Sequence, residues 1–120
     1  MSGRPAIDWI DLGPVEELKH PPLRQVSYGR LKIALSFQDG TFGAVSGVCN
    51  HAAGPLGDGT LDGVYIVCPW HHWKFHRSTG EGEPGFEEDR VPRHAVREGG
   101  GRLLLNPVPV SKRDVAPHER

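Results

Sequence analysis

At 120 residues, 37% of them hydrophobic and 24% charged, the chain suits one compact domain with a modest core and lacks the length for two. Lys and Arg total 14 against 15 for Asp and Glu, so the net charge of −1 gives no general attraction to nucleic acid or to an anionic membrane, and the expected partner is a protein. No apolar run approaches the length needed to cross a bilayer, and Met1-Ser2-Gly3-Arg4-Pro5 lacks the apolar centre of a signal peptide, which together predict a soluble, cytoplasmic protein.

The first 22 residues read as an N-terminal segment holding a short helix or strand. Pro14-Val15-Glu16-Glu17-Leu18-Lys19 is the helical candidate: Pro14 suits a first helical position, two acids follow in the first turn, and Pro21-Pro22 stop it. From Arg30 to Phe37, Leu31, Ile33, Leu35 and Phe37 alternate with Arg30, Lys32, Ala34 and Ser36, the period of a half-buried strand. Asp39-Gly40 predicts a hairpin turn, with Thr41 to Val48 returning as a strand that leads directly into Cys49.

Val64-Tyr65-Ile66-Val67 is a short apolar run between Gly63 and Pro69 and delivers Cys68 in the same way. Val91 to Arg97 and Arg102 to Leu105, joined by Gly99-Gly100-Gly101, predict a closing hairpin. From 107 to 120, Pro107, Pro109 and Pro117 stand among charged residues, a composition that favours an extended tail or linker. Sixteen Gly and eleven Pro between short apolar stretches indicate an all-β fold, a small antiparallel β-sandwich or barrel with two loops forming a subdomain at one tip.

Those loops carry the chemistry. The chain has two cysteines, and each has a histidine close behind it: Cys49-Asn50-His51 and Cys68-Pro69-Trp70-His71, with sixteen residues between the pairs. Residues two apart on extended backbone point the same way, and residues three apart around a Pro-containing turn can do likewise, so both pairs can face one cavity. Thiolates kept for a metal fit a reducing compartment better than a disulfide does. Two metals suit this donor set: a mononuclear Cys2His2 zinc site, or a dinuclear iron-sulfur cluster with both thiolates on one iron and both imidazoles on the other. Zinc fingers usually place two cysteines in one pair and two histidines in the other, whereas here each pair is mixed.

The pattern C-x-H-x16-C-x2-H, with Gly54-Pro55-Leu56 after the first pair, resembles the Rieske [2Fe–2S] family, in particular its soluble ferredoxins, over about Leu23 to Asn106. The resemblance implies a Rieske-like fold over 23–106 and one [2Fe–2S] cluster per chain, with Cys49 and Cys68 on the buried iron and His51 and His71 on the outer iron near solvent. It further implies an electron-transfer component of an oxidoreductase system, not an enzyme on its own, that passes single electrons from a donor reductase to an acceptor protein or domain and works as a monomer. The alternative it leaves open is a first domain or small subunit of a larger oxidoreductase.

Neutral imidazoles in place of two thiolates leave the oxidised cluster uncharged, so an added electron meets less repulsion and the potential lies above that of four-cysteine ferredoxins. High-potential members of the family carry a disulfide at the positions of Gly54 and Trp70, and hydroxyl donors at those of Trp73 and Phe75. Their absence, with three bulky rings excluding water, predicts a potential toward the low end of the Rieske range of about −150 to +300 mV. His72 stands where the family commonly has glycine; His72 and His76 read as surface residues beside the cluster, and His20, His94 and His118 as ordinary. Gly57, Gly59 and Gly63 read as loop formers.

Overall fold

The computed structural model describes residues 9–48, 54–70, 72–86 and 89–110. Among the described residues, nine short strands form three antiparallel sheets of three strands each, the all-β architecture expected. The central sheet is β2 (Leu23–Tyr28), β3 (Leu31–Gln38) and β4 (Thr41–Ser46). The hairpin turn between β3 and β4 is at Asp39-Gly40, where φ is 53° and 80°. Aspartate and glycine tolerate this left-handed backbone, and it matches the twist of the strands it joins.

β3 departs from the half-buried reading. Ile33, Ala34, Leu35 and Ser36 are all buried, because each face of the strand meets a different core. Ile33 and Leu35 pack with Ala44, Val15, Leu18, Leu103 and Leu105, whereas Ala34 and Val45 pack on the other side with Leu56, Ile66, Cys68, Phe75 and Val91. The small Ala34 and Ser36 broke the apolar run in sequence, and their alternation looked like a solvent-facing side.

The first core joins the central sheet to a second sheet ordered β1 (Ile10–Pro14), β9 (Arg102–Leu105) and β8 (Val96–Gly99). The predicted closing hairpin is present, with Gly100 and Gly101 at positive φ in its turn, but β8 is shorter than the run from Val91. Pro92 to His94 instead lies along β4, with Ser46 N–H donating to the Pro92 carbonyl and His94 N–H to that of Ala44. The helix α1 spans Val15–Leu18 and buries both of those residues, while Pro14 stays extended and caps it. Its position after β1 seats the N-terminal segment on the same core as 102–105.

The third sheet, β5 (Thr60–Asp62), β6 (Tyr65–Val67) and β7 (Lys74–His76), closes the second core. Ile66 and Phe75 are paired across β6 and β7 and fully buried, each contributing roughly 1.5–3 kcal/mol by burial. This sheet and the end of β4 present the two candidate ligand loops.

Candidate metal centre

Of the four predicted ligands, Cys68 is the one the structure describes; Cys49, His51 and His71 lie outside the described residues, as do His118 and the tail from 111 onward. Cys68 directly follows β6 and is fully buried, its thiol free. The turn after it is closed twice. Cys68 N–H donates to the Trp73 carbonyl at 2.7 Å, and His72 N–H donates to the Cys68 carbonyl at 2.9 Å. Pro69 and Trp70 thereby lie in a tight turn between β6 and β7. His72 completes that loop with φ of 61°, a backbone conformation that costs a side-chain-bearing residue about 1–2 kcal/mol.

The first loop is held at both ends. Val48 pairs with Pro55, and Leu56 N–H donates to the Gly47 carbonyl at 3.0 Å, so residues 48 and 55 stand side by side at the neck. Gln25 on β2 pins the same neck with its side chain: Nε2 donates to the Gly47 carbonyl at 3.0 Å, and Oε1 accepts from Gly57 N–H at 2.7 Å. A Cβ on Gly57 would lie 2.4 Å from the Gln25 Cα, so the Gly57 backbone has to come that close to β2. Gly57 is therefore a close-approach glycine as well as a loop former.

The two loops meet at Gly54, which is buried. A Cβ there would stand 2.9 Å from Cys68 Sγ and 3.1 Å from the Trp70 indole. The space beside this thiol is thus kept by the absence of a side chain. A buried, unbridged thiol facing such a cradle, with a second Cys and two His on the same loops in sequence, fits a thiolate-bound cluster.

The aromatic residues divide. Phe75 is fully buried in the core with Cys68, and Trp73 is half-buried with its ring edge-on to Phe86 at 5.7 Å. Trp70, expected to exclude water from the site together with the other two, is 57% exposed, with its indole against Gly54. His72 is exposed, whereas His76 is half-buried, its Nδ1 accepting from the backbone N–H groups of Ser78 and Thr79 at 3.1 and 3.3 Å. Burial, and then the positive charge of Arg77, hold the His76 pKa below its ordinary value. His94 is buried, its Nδ1 2.9 Å from the Asn106 carbonyl oxygen.

Sequence reasoning missed Arg77. Its guanidinium is buried against the β3–β4 hairpin, donating to the Gln38 side chain and carbonyl, to Ser36 Oγ, and to the Thr41 carbonyl and hydroxyl at 2.7–3.2 Å. Burial lowers its pKa from the usual arginine value, yet five donor contacts satisfy the charged group. Its backbone N–H donates to the Val64 carbonyl, so one residue ties the β6–β7 sheet to the central sheet.

The family model of the Rieske [2Fe-2S] domain matches residues 8–94. The chain belongs to the Rieske [2Fe–2S] domain family, and the cofactor of that family is a single Rieske-type cluster that carries one electron at a time. Its relatives include the ferredoxin component of the naphthalene 1,2-dioxygenase system of Pseudomonas aeruginosa, 26% identical over 82% of this chain and 94% of that one. A ferredoxin component of naphthalene 1,2-dioxygenase/salicylate 5-hydroxylase systems from Ralstonia is 31% identical over 62% of this chain and 71% of its own length. Human apoptosis-inducing factor 3 is 36% identical over 61% of this chain, which spans only 12% of that much longer protein. Among solved structures, the ferredoxin of carbazole 1,9a-dioxygenase from Nocardioides aromaticivorans IC177 has the same fold, with a TM-score of 0.74 at 20% identity over 83% of this chain and 98% of that one.

Proposed function

We propose that this chain is the ferredoxin component of an oxygenase or related oxidoreductase system, accepting single electrons from a reductase and passing them to an acceptor protein. The observation that carries the reading is the match along 94% of a dioxygenase ferredoxin. In this reading Cys49 and Cys68 bind one iron, and His51 and His71 bind the other, nearer solvent. The cluster supplies a one-electron site; the chain's own residues position it, limit water around it and present its imidazole edge to a partner. The cluster domain comprises 23–106 with the preceding segment docked on it, and 107–120 forms a tail. The protein works as a soluble cytoplasmic monomer.

No helix among the described residues is long and apolar enough to cross a membrane. Phe75 has no hydroxyl and is sealed in the core, and Trp73 offers its carbonyl to Cys68 N–H, so neither side chain brings the hydroxyl donor that would stabilise a reduced cluster. The potential accordingly falls toward the low end of the range of about −150 to +300 mV. A mediated redox titration tests the function: a reversible one-electron couple near that lower end supports it, and no reversible couple refutes it.

A second reading, a domain of a larger oxidoreductase, is favoured by the 36% identity to a protein of which this chain spans 12%. The protein that co-purifies with the chain, or follows it in the same reading frame, separates the two.

A further inference from the structure

Trp70 is one residue from the predicted ligand His71 and two from Cys68, while Gly54 lies just beyond the first ligand pair. The contact between them therefore spans the two ligand arms. A Cβ at Gly54 would lie 3.1 Å from both Cγ and Cδ2 of the indole and 2.9 Å from Cys68 Sγ, so the ring and the thiol both lie against the glycine. Gly54 and Cys68 are buried, whereas Trp70 is 57% exposed: part of the residue lies against Gly54 and the rest is in solvent. A large apolar ring left half in solvent is dehydrated only where it touches the glycine, and that contact joins a residue beyond the first ligand pair to one within the second.

We infer that Trp70 and Gly54 form a non-covalent clasp over Cys68, in which the indole holds the two ligand arms together and screens the thiol from solutes. Trp70 is then a positioning residue, and Gly54 is required because any side chain there would crowd both the ring and the sulfur. The clasp rests on the reading of Cys68 as a ligand only for its effect on the cluster; its screening of the thiol does not.

Two readouts on the purified full chain separate these parts. The first is alkylation of Cys68 by iodoacetamide, followed by peptide mass spectrometry. Trp70→Ala should label about three to ten times faster than the unaltered chain, and Trp70→Phe, which keeps a ring on Gly54, should stay near the original rate. The second is chelator-driven bleaching of the visible absorbance, which should accelerate in Trp70→Ala, be restored in Trp70→Phe, and accelerate in Gly54→Ala. Where no cluster is bound, equal Cys68 labelling in all three Trp70 forms would overturn the clasp; where one is bound, iron blocks the thiol in every form, and equal bleaching rates would overturn it. Colourless protein with the predicted labelling pattern would instead refute the cluster reading and leave the clasp standing.

Discussion

Gln25 and Gly57 are joined across 32 residues: Gln25 Oε1 accepts the Gly57 N–H at 2.7 Å, and the two backbones lie too close for a side chain at position 57. With the second bond from Nε2 to the Gly47 carbonyl, one amide brackets the neck of the loop that carries Cys49 and His51. Gln25→Leu removes both bonds and should destabilise the protein by about 1–2 kcal/mol in urea unfolding. Gln25→Glu keeps the acceptor and should fall between the two. Equal midpoints for all three would show that the bracket carries no load.

Arg77 makes a larger prediction. Replacing it with Met leaves the Gln38 and Thr41 carbonyls and the Ser36 hydroxyl without their charged donor, at a cost of about 3 kcal/mol. Arg77→Lys should recover only part, because an ammonium cannot reproduce the planar fork that reaches all these acceptors. Midpoints of denaturant unfolding for the two variants check this.

His72 is held with φ of 61° at the close of the Cys68 loop. His72→Gly should relieve that conformation and stabilise the protein by about 1 kcal/mol, while the β-branched His72→Val should destabilise it. A thermal scan that ranked the variants in the opposite order would contradict this account of the turn.

The pH dependence follows from His76. Its folded pKa lies below the ordinary value of 6.5, through burial first and the Arg77 charge second, with Glu81 acting weakly the other way. The unfolded chain therefore takes up the proton first as pH falls. This contribution to stability is complete above the unfolded pKa, declines as pH drops below about 6.5, and levels off beneath the folded pKa. Protonation of Nδ1 would also displace the N–H donors of Ser78 and Thr79. His76→Asn, which keeps an acceptor there without titrating, should flatten the slope of stability against pH in this interval.

The hairpin at Asp39-Gly40, the Val15–Leu18 helix and the 99–101 turn were legible because turn chemistry and apolar spacing are local. The strands β5 and β7 were not, since three residues are too few to show a period. β1 has no signal of its own within the N-terminal segment, because its partner, β9, is some ninety residues away. Arg77 escaped notice because a charged residue in sequence reads as surface, and its acceptors sit on a distant hairpin. The same holds for Gln25. For the centre itself, spacing alone left zinc and iron-sulfur both open, and the family resemblance decided between them; the structure adds a buried Cys68 facing a side-chain-free Gly54.

The central claim is that Cys49, His51, Cys68 and His71 hold one [2Fe–2S] cluster. Its most direct test is the iron and acid-labile sulfide content of freshly reconstituted protein, set beside the zinc content of the same sample. The account predicts iron and sulfide in equal amounts, about two of each per chain, lost on replacing Cys68 with Ser. One zinc per chain with no sulfide would contradict it.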